Sequence, residues 1–168
     1  TDTTESDTGT DSSTSDTGGT DTGTVAGDTR IRVIHASAIA GGAAADGVDI
    51  FAGDGRVVEA LGYKAGTDYL TVPAGEYAFN VFPAGSGPAG EPALAIPALA
   101  YEADAAYTLV AYDDGEAIAP LRLADETGEV GAGNIRIRAV HVANGVGQVD
   151  IWNITDPANP SPLIENLD

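Results

Sequence analysis

The chain has 168 residues, with 26 acidic side chains, 7 basic ones and no cysteine, enough for one ordinary domain or two small ones. A formal charge of −19 repels phosphate backbones and anionic lipid, so neither a nucleic-acid partner nor attachment through a basic patch is expected, and the absence of thiols excludes disulfides, thiolate metal sites and thiol catalysis. No run of 18 apolar residues occurs and no charged n-region with an apolar h-region opens the chain, so neither a direct membrane span nor a signal peptide is expected within it.

Residues 1–28, "TDTTESDTGTDSSTSDTGGTDTGTVAGD", contain one Val and no basic residue. So little apolar surface does not offset the entropy of ordering, and the segment is expected to be a disordered acidic tether. Such a tail is similar to the spacer behind the processed or lipidated N-terminus of exported surface proteins, which places an anchoring lipid upstream of Thr1.

Beyond it, short period-two apolar runs rich in Val, Ile, Tyr and Phe alternate with Gly, Pro, Asp and Asn, the pattern of antiparallel β-structure. Strands are expected near 30–36, 47–52, 56–61, 67–72, 76–82, 93–100, 105–112, 117–123, 134–142 and 148–154. "AGDGR" at 52–56 reads as a tight hairpin in which Gly55 takes the positive φ. Pro73 with Gly75 in "VPAGEY", and Gly115 in "YDDGE", mark further turns. The alanine-rich stretch from Glu91 to Tyr107 carries Pro92 and Pro97, which break a helix and suit an edge strand. "GAGN" at 131–134 reads as a linker turn.

One pattern is written twice. "RIRVIHAS" at 30–37 returns as "NIRIRAVHVA" at 134–143, and "GVDIFAGD" at 47–54 as "QVDIWNIT" at 148–155. By strand parity Ile31, Val33 and His35 share one face, as do Ile135, Ile137, Ala139 and His141. The connecting loop shortens from twelve residues (36–47) to seven (142–148), and matched strands about a variable loop are what a duplicated module shows. The expected organisation is a tether at 1–28, a β-sandwich module at 29–125, and at 134–168 either the start of a second, incomplete repeat or extra strands packing on the first module.

In this order and spacing "IRVIHAS", "VDIFAGDG", "GTDYLTVPAGEYAFNVFPAG" and "AYTLVAYDD" make the chain resemble a bacterial and archaeal family, the domain of unknown function 4397, whose members are exported and often arranged in tandem. "IRAVHVANGVGQVDIW" then opens another copy. The resemblance implies an immunoglobulin-like β-sandwich on a cell surface and carries no catalytic residues. The family's short Pro-containing loop after His-Ala-Ser is replaced here by "AIAGGAAADG".

Candidate chemistry centres on the repeated pairs His35 with Asp49 and His141 with Asp150. A general base needs orientation and access, yet parity sends Asp49 to the face opposite Val48 and Ile50, away from His35. Each His is expected to cap a strand end and to hydrogen-bond to backbone or to the neighbouring Asp. One His per module and no Cys provide no transition-metal spacing. Asp113, Asp114 and Glu116, or Asp125, Glu126 and Glu129, are oxygen donors that a calcium ion accepts, but neither set matches an EF-hand loop, and solvated turn acids are the expected reading. Ser37 follows His35 with its side chain expected to point elsewhere, and no nucleophile elbow exists. Asn153 opens an N-x-[ST] glycosylation pattern.

No catalytic, cofactor-binding or metal-binding residue is assigned, and no cofactor is expected. The expected function is that of a non-enzymatic, exported cell-surface module for presentation, adhesion or structural spacing, whose surface or protein partner the sequence does not name. The alternatives are a self-associating, fibre-forming subunit that exchanges strands from residues 134–168, and a hydrolase or carbohydrate-binding module.

Overall fold

The computed structural model describes residues 27–38 and 47–168. Nearly all of the tail at 1–28 and of the glycine- and alanine-rich loop therefore lies outside the described residues. Ten strands follow in chain order: β1 Asp28–His35, β2 Val48–Ala52, β3 Gly55–Leu61, β4 Leu70–Pro73, β5 Gly75–Pro83, β6 Leu94–Tyr101, β7 Ala106–Asp113, β8 Ile118–Ala124, β9 Val149–Asn153 and β10 Ser161–Leu167. No helix occurs among the described residues.

Two four-stranded sheets, ordered β4-β1-β7-β8 and β3-β2-β5-β6, pack into a sandwich. Strand parity explains the contact. On β1 the buried residues are Thr29, Ile31, Val33 and His35, while Arg30, Arg32 and Ile34 look outward. With Leu109 and Ala111 of β7 they face Val48, Ile50, Val58, Leu61, Phe79, Val81, Leu94 and Ile96 of the other sheet. Burying each large apolar side chain contributes roughly 1.5–3 kcal/mol. Tyr101 closes the core edge-on to Tyr107, ring centroids 5.0 Å apart.

The all-β sandwich expected from the pattern is what forms, with one change: not every pairing is antiparallel. β1 and β7 run parallel, Arg30 opposite Ala106 and His35 opposite Ala111. The chain crosses between the sheets several times before β7 arrives, so the two strands need no hairpin and run the same way. β6, with Pro97, pairs only with β5 and is an edge strand as expected.

The first hairpin is also corrected. The positive φ falls on Gly53 (57°), not on Gly55, which makes a glycine-first two-residue turn between Ala52 and Gly55. At the β7–β8 turn Gly115 adopts φ 108°, and the Asp114 carboxylate accepts the amides of Glu116 and Ala117, both at 2.9 Å.

The expected strand at 134–142 does not form. The inner faces of both sheets are already filled by β1–β8, so Ile135 and Ile137 find no apolar layer and are 79% and 60% exposed. β9 forms where expected, but its partner β10, "SPLIENL", has no counterpart in the sequence reading. The two-stranded β9–β10 sheet shares the register of β2–β3. Val149 opposes Leu167 as Val48 opposes Leu61, Ile151 opposes Ile164 as Ile50 opposes Val58, and both pairs carry an irregularity at the same step.

Candidate functional site

Grooves of about 330–440 Å³ gather along one feature, the segment 134–148, which crosses the outer face of the β4-β1-β7-β8 sheet as a strap. Its opening arginines fasten it. Arg136 donates to the carbonyls of Glu126 (3.1 Å) and Gly128 (2.8 Å) and pairs with the Glu126 carboxylate at 3.2 Å. Arg138 donates to Asp125 Oδ1 and to the Ala124 carbonyl, each at 2.6 Å. Val140 and Val142 then lie opposite Ile34, Ala36 and Val110 across a groove of about 350 Å³. At the far end the Asn144 side chain rests on Gly115, where even a methyl group would meet it at 2.2 Å.

Asp125 is the hub of the near end. Its Oδ2 accepts from the Tyr69 hydroxyl at 2.8 Å and from Thr108 Oγ1 at 2.6 Å, and Arg32 Nε lies 3.9 Å away. Arg32 also donates to Thr108 at 2.7 Å and stacks over the Tyr69 ring at 4.9 Å, beside Arg30 at 5.6 Å. Burial first, then the Asp125 carboxylate, pushes the Tyr69 phenol above its usual range. The groove thus joins an aliphatic floor to one end where two guanidiniums share one carboxylate. Such a site suits an elongated ligand with one polar end; its hydroxyls have no imidazole within hydrogen-bond reach to activate them.

The residues singled out in the sequence lie elsewhere. His35 is 1% exposed, and neither ring nitrogen has a hydrogen-bond partner. The expected bond to backbone or Asp49 is absent because the ring borders an apolar cavity of about 20 Å³ walled by Val48, Ile50, Leu61 and Val81. Tyr63 stands edge-on to it at 6.1 Å. Burial depresses the imidazole's pKa, opposed by the charge of Asp113. Ser37, equally buried, donates to the Asp113 carboxylate, which also accepts the Ala38 amide at 2.6 Å.

Asp49 points to the other face of β2, as parity requires. One carboxylate oxygen accepts the Ala60 amide at 2.8 Å; the other accepts the Gly85 amide at 3.1 Å and the Arg56 guanidinium Nη1 at 3.3 Å. The Ala60 bond above all, with Gly85 and Arg56, holds its pKa below the usual carboxylate range against the opposing effect of burial. Asp150 repeats the first of these bonds, accepting the Asn166 amide at 2.9 Å. Ala60 and Asn166, at matching positions of the two hairpins, both adopt positive φ, 47° and 56°. His141 meets backbone at Gly147 O, 3.1 Å. Asn153 is exposed, and its side-chain oxygen accepts from the amide and hydroxyl of Thr155.

Of the acids considered for calcium, Asp113, Asp114 and Asp125 all accept hydrogen bonds from protein donors, and no group of three His, Cys, Asp or Glu able to hold a metal ion occurs among the described residues. Sequence reasoning missed the Asp125 hub. The available signal was the placement of four of six arginines, Arg30, Arg32, Arg136 and Arg138, in the two copies of one motif.

Residues 29–152 match the family model described as Domain of unknown function (DUF4397). The chain belongs to that family. No curated protein matches it. The DUF4397 match runs from β1 through the strap to Trp152 in β9, so it contains Arg32, Tyr69, Asp125 and Arg138 and stops short of β10. No helix among the described residues is long and apolar enough to cross a membrane.

Proposed function

We propose that this DUF4397 protein is a non-enzymatic, exported cell-surface module that presents or spaces a binding surface, with residues 134–168 opening a second module. The observation that carries this reading is how its buried polar groups are engaged: Asp49 and Asp125 accept two or more protein hydrogen bonds each, and His35 is enclosed by apolar side chains. Groups so committed specify a fold rather than turn over a substrate. The composition of residues 1–28, acidic and with a single Val, supports the tether.

Brief protease treatment of intact cells producing the full chain tests this. Loss of the protein without lysis is the expected result. Protection until the cells are broken overturns the surface reading. A fibre-forming subunit is a second reading, and the observation that favours it is the second edge of β9, which pairs with no strand among the described residues.

A further inference from the structure

The two hairpins share a register but differ in what lies beside them. β2 is paired on both edges, with β3 on one side and β5 on the other, Val48 opposite Pro83 and Ala52 opposite Phe79. β9 is paired only with β10; among the described residues no strand lies along its second edge. Val48, Ile50, Val58 and Leu61 are buried, whereas their counterparts Val149, Ile151, Ile164 and Leu167 are half-buried. Phe51 is covered by Phe82, which meets it edge-on at 5.5 Å; its counterpart Trp152 is 47% exposed.

The acids differ in the same sense. Asp49 uses one oxygen for the amide of its own hairpin, at Ala60, and the other for Gly85, two residues beyond β5. Asp150 uses Oδ1 for its own hairpin, at Asn166, and its Oδ2 has no protein donor among the described residues. Everything β2 requires for β5 is present on β9 except the strand. An exposed strand edge of this kind adds an extended segment through main-chain hydrogen bonds, with alternate side chains setting the choice of partner.

We propose that the free edge of β9 is an acceptor site for a β5-type strand: an antiparallel segment alternating aromatic and aliphatic residues and ending in Pro-Ala-Gly. By the register of β2 with β5, Val149 takes the position opposite Pro, Asp150 and Asn153 those opposite the two Phe, Ile151 that opposite Val, and Trp152 that opposite Asn. The glycine amide after the strand completes Asp150, and the aromatic residue three places before it covers Trp152, as Gly85 and Phe82 do for Asp49 and Phe51.

Trp152 is the chain's single tryptophan, so its emission reports on this edge alone. The test adds a synthetic peptide of residues 75–86, "GEYAFNVFPAGS", to the full chain. The expected result is a saturable blue shift of Trp152 emission, absent with a scrambled peptide and weakened about tenfold by Asp150→Ala, as for a hydrogen bond to a charged acceptor. Emission of the Asp150→Ala protein without peptide, if unchanged, shows that its hairpin is intact. A second form, with the same twelve residues joined after Asp168 by a flexible Gly/Ser linker, supplies the strand at millimolar effective concentration. No shift in that fusion, an equal shift with the scrambled sequence, or a shift that depends only on protein concentration overturns the proposal; the last result assigns the edge to a second copy instead.

Discussion

Two buried side chains both weaken the fold on acidification, in different pH windows. His35 has a depressed pKa, so the folded state binds fewer protons than the unfolded one; stability is unaffected above the ordinary value of 6.5 and falls as pH drops below it. Asp113 is the charge that resists this loss, and Tyr63 packs on the ring without bonding to it. Replacing a buried, partnerless polar group by an apolar one removes its desolvation penalty. His35→Leu is therefore expected to keep or raise stability, by about 1 kcal/mol, and to flatten the decline below pH 6.5 in urea titrations followed by circular dichroism. Asp49 also has a lowered pKa, so its contribution is full above the ordinary value of 3.8 and is lost as pH falls from there through the lower folded-state value. Asp49→Ala removes the buried carboxylate that the Ala60 and Gly85 amides and Arg56 share, and is expected to cost about 3 kcal/mol. Asp150→Ala, at the matching but exposed position, is expected to cost less than about 1 kcal/mol in the same titration. Parity placed His35 and Asp49 on opposite faces from sequence alone. It did not show that the histidine's neighbours leave both nitrogens bare, because the cavity wall comes from strands up to 76 residues away, such as Ala111.

Among the elements, β1–β8 were legible because each alternates cleanly or ends in turn residues with one mechanism, as at Gly115 and Pro97. The strap was misread for a physical reason. "NIRIRAVH" has the same alternation as β1, but alternation shows only that a segment suits a sheet, not that a sheet edge and an apolar layer await it. β10 escaped notice because Pro162, Glu165 and Asn166 interrupt its apolar run and its loop is seven residues (154–160) against two in the first hairpin (53–54). Only the register shows that Ile164 and Leu167 stand where Val58 and Leu61 stand. The strap's attachment rests on Asp125, whose partner Arg138 is partly exposed, so the ion pair itself adds little. Asp125→Asn removes the charge that also anchors Tyr69 and Thr108. It is expected to speed trypsin cleavage after Arg136 and Arg138 several-fold, with the β1–β8 sheets intact by circular dichroism. Unchanged cleavage kinetics would show that the carbonyl bonds at Ala124, Glu126 and Gly128 hold the strap by themselves.

For the whole molecule, charge dominates: all seven basic residues lie after residue 28, and they face 19 acidic ones there. Self-repulsion at this imbalance destabilises the compact state and is screened by salt over about 10 Å at 0.1 M. The melting temperature is expected to rise steadily between 0.05 and 1 M sodium chloride, read at approximate concentrations by differential scanning calorimetry. A flat or falling profile would indicate that pairs such as Arg138 with Asp125 outweigh the repulsion.

The path of the chain has one more consequence. β1 begins beside the start of β7, and β8 finishes there too, Arg30 opposite Ala106 and Tyr107 opposite Ala124, so both ends of the sandwich emerge from the same pole. The strap then carries the chain from Asp125 to Gly115, at the opposite pole. Under tension applied at Thr1 and Gln148, between the sandwich and the β9–β10 pair, the load runs through the strap before it reaches any ladder. It should slip first, releasing at most about 65 Å at full extension of residues 125–144, after which β1 and β8 peel apart from one side. Optical-trap recordings of the full chain are expected to show that small early yield, and Asp125→Asn to lower its force while leaving the later, larger rupture unchanged.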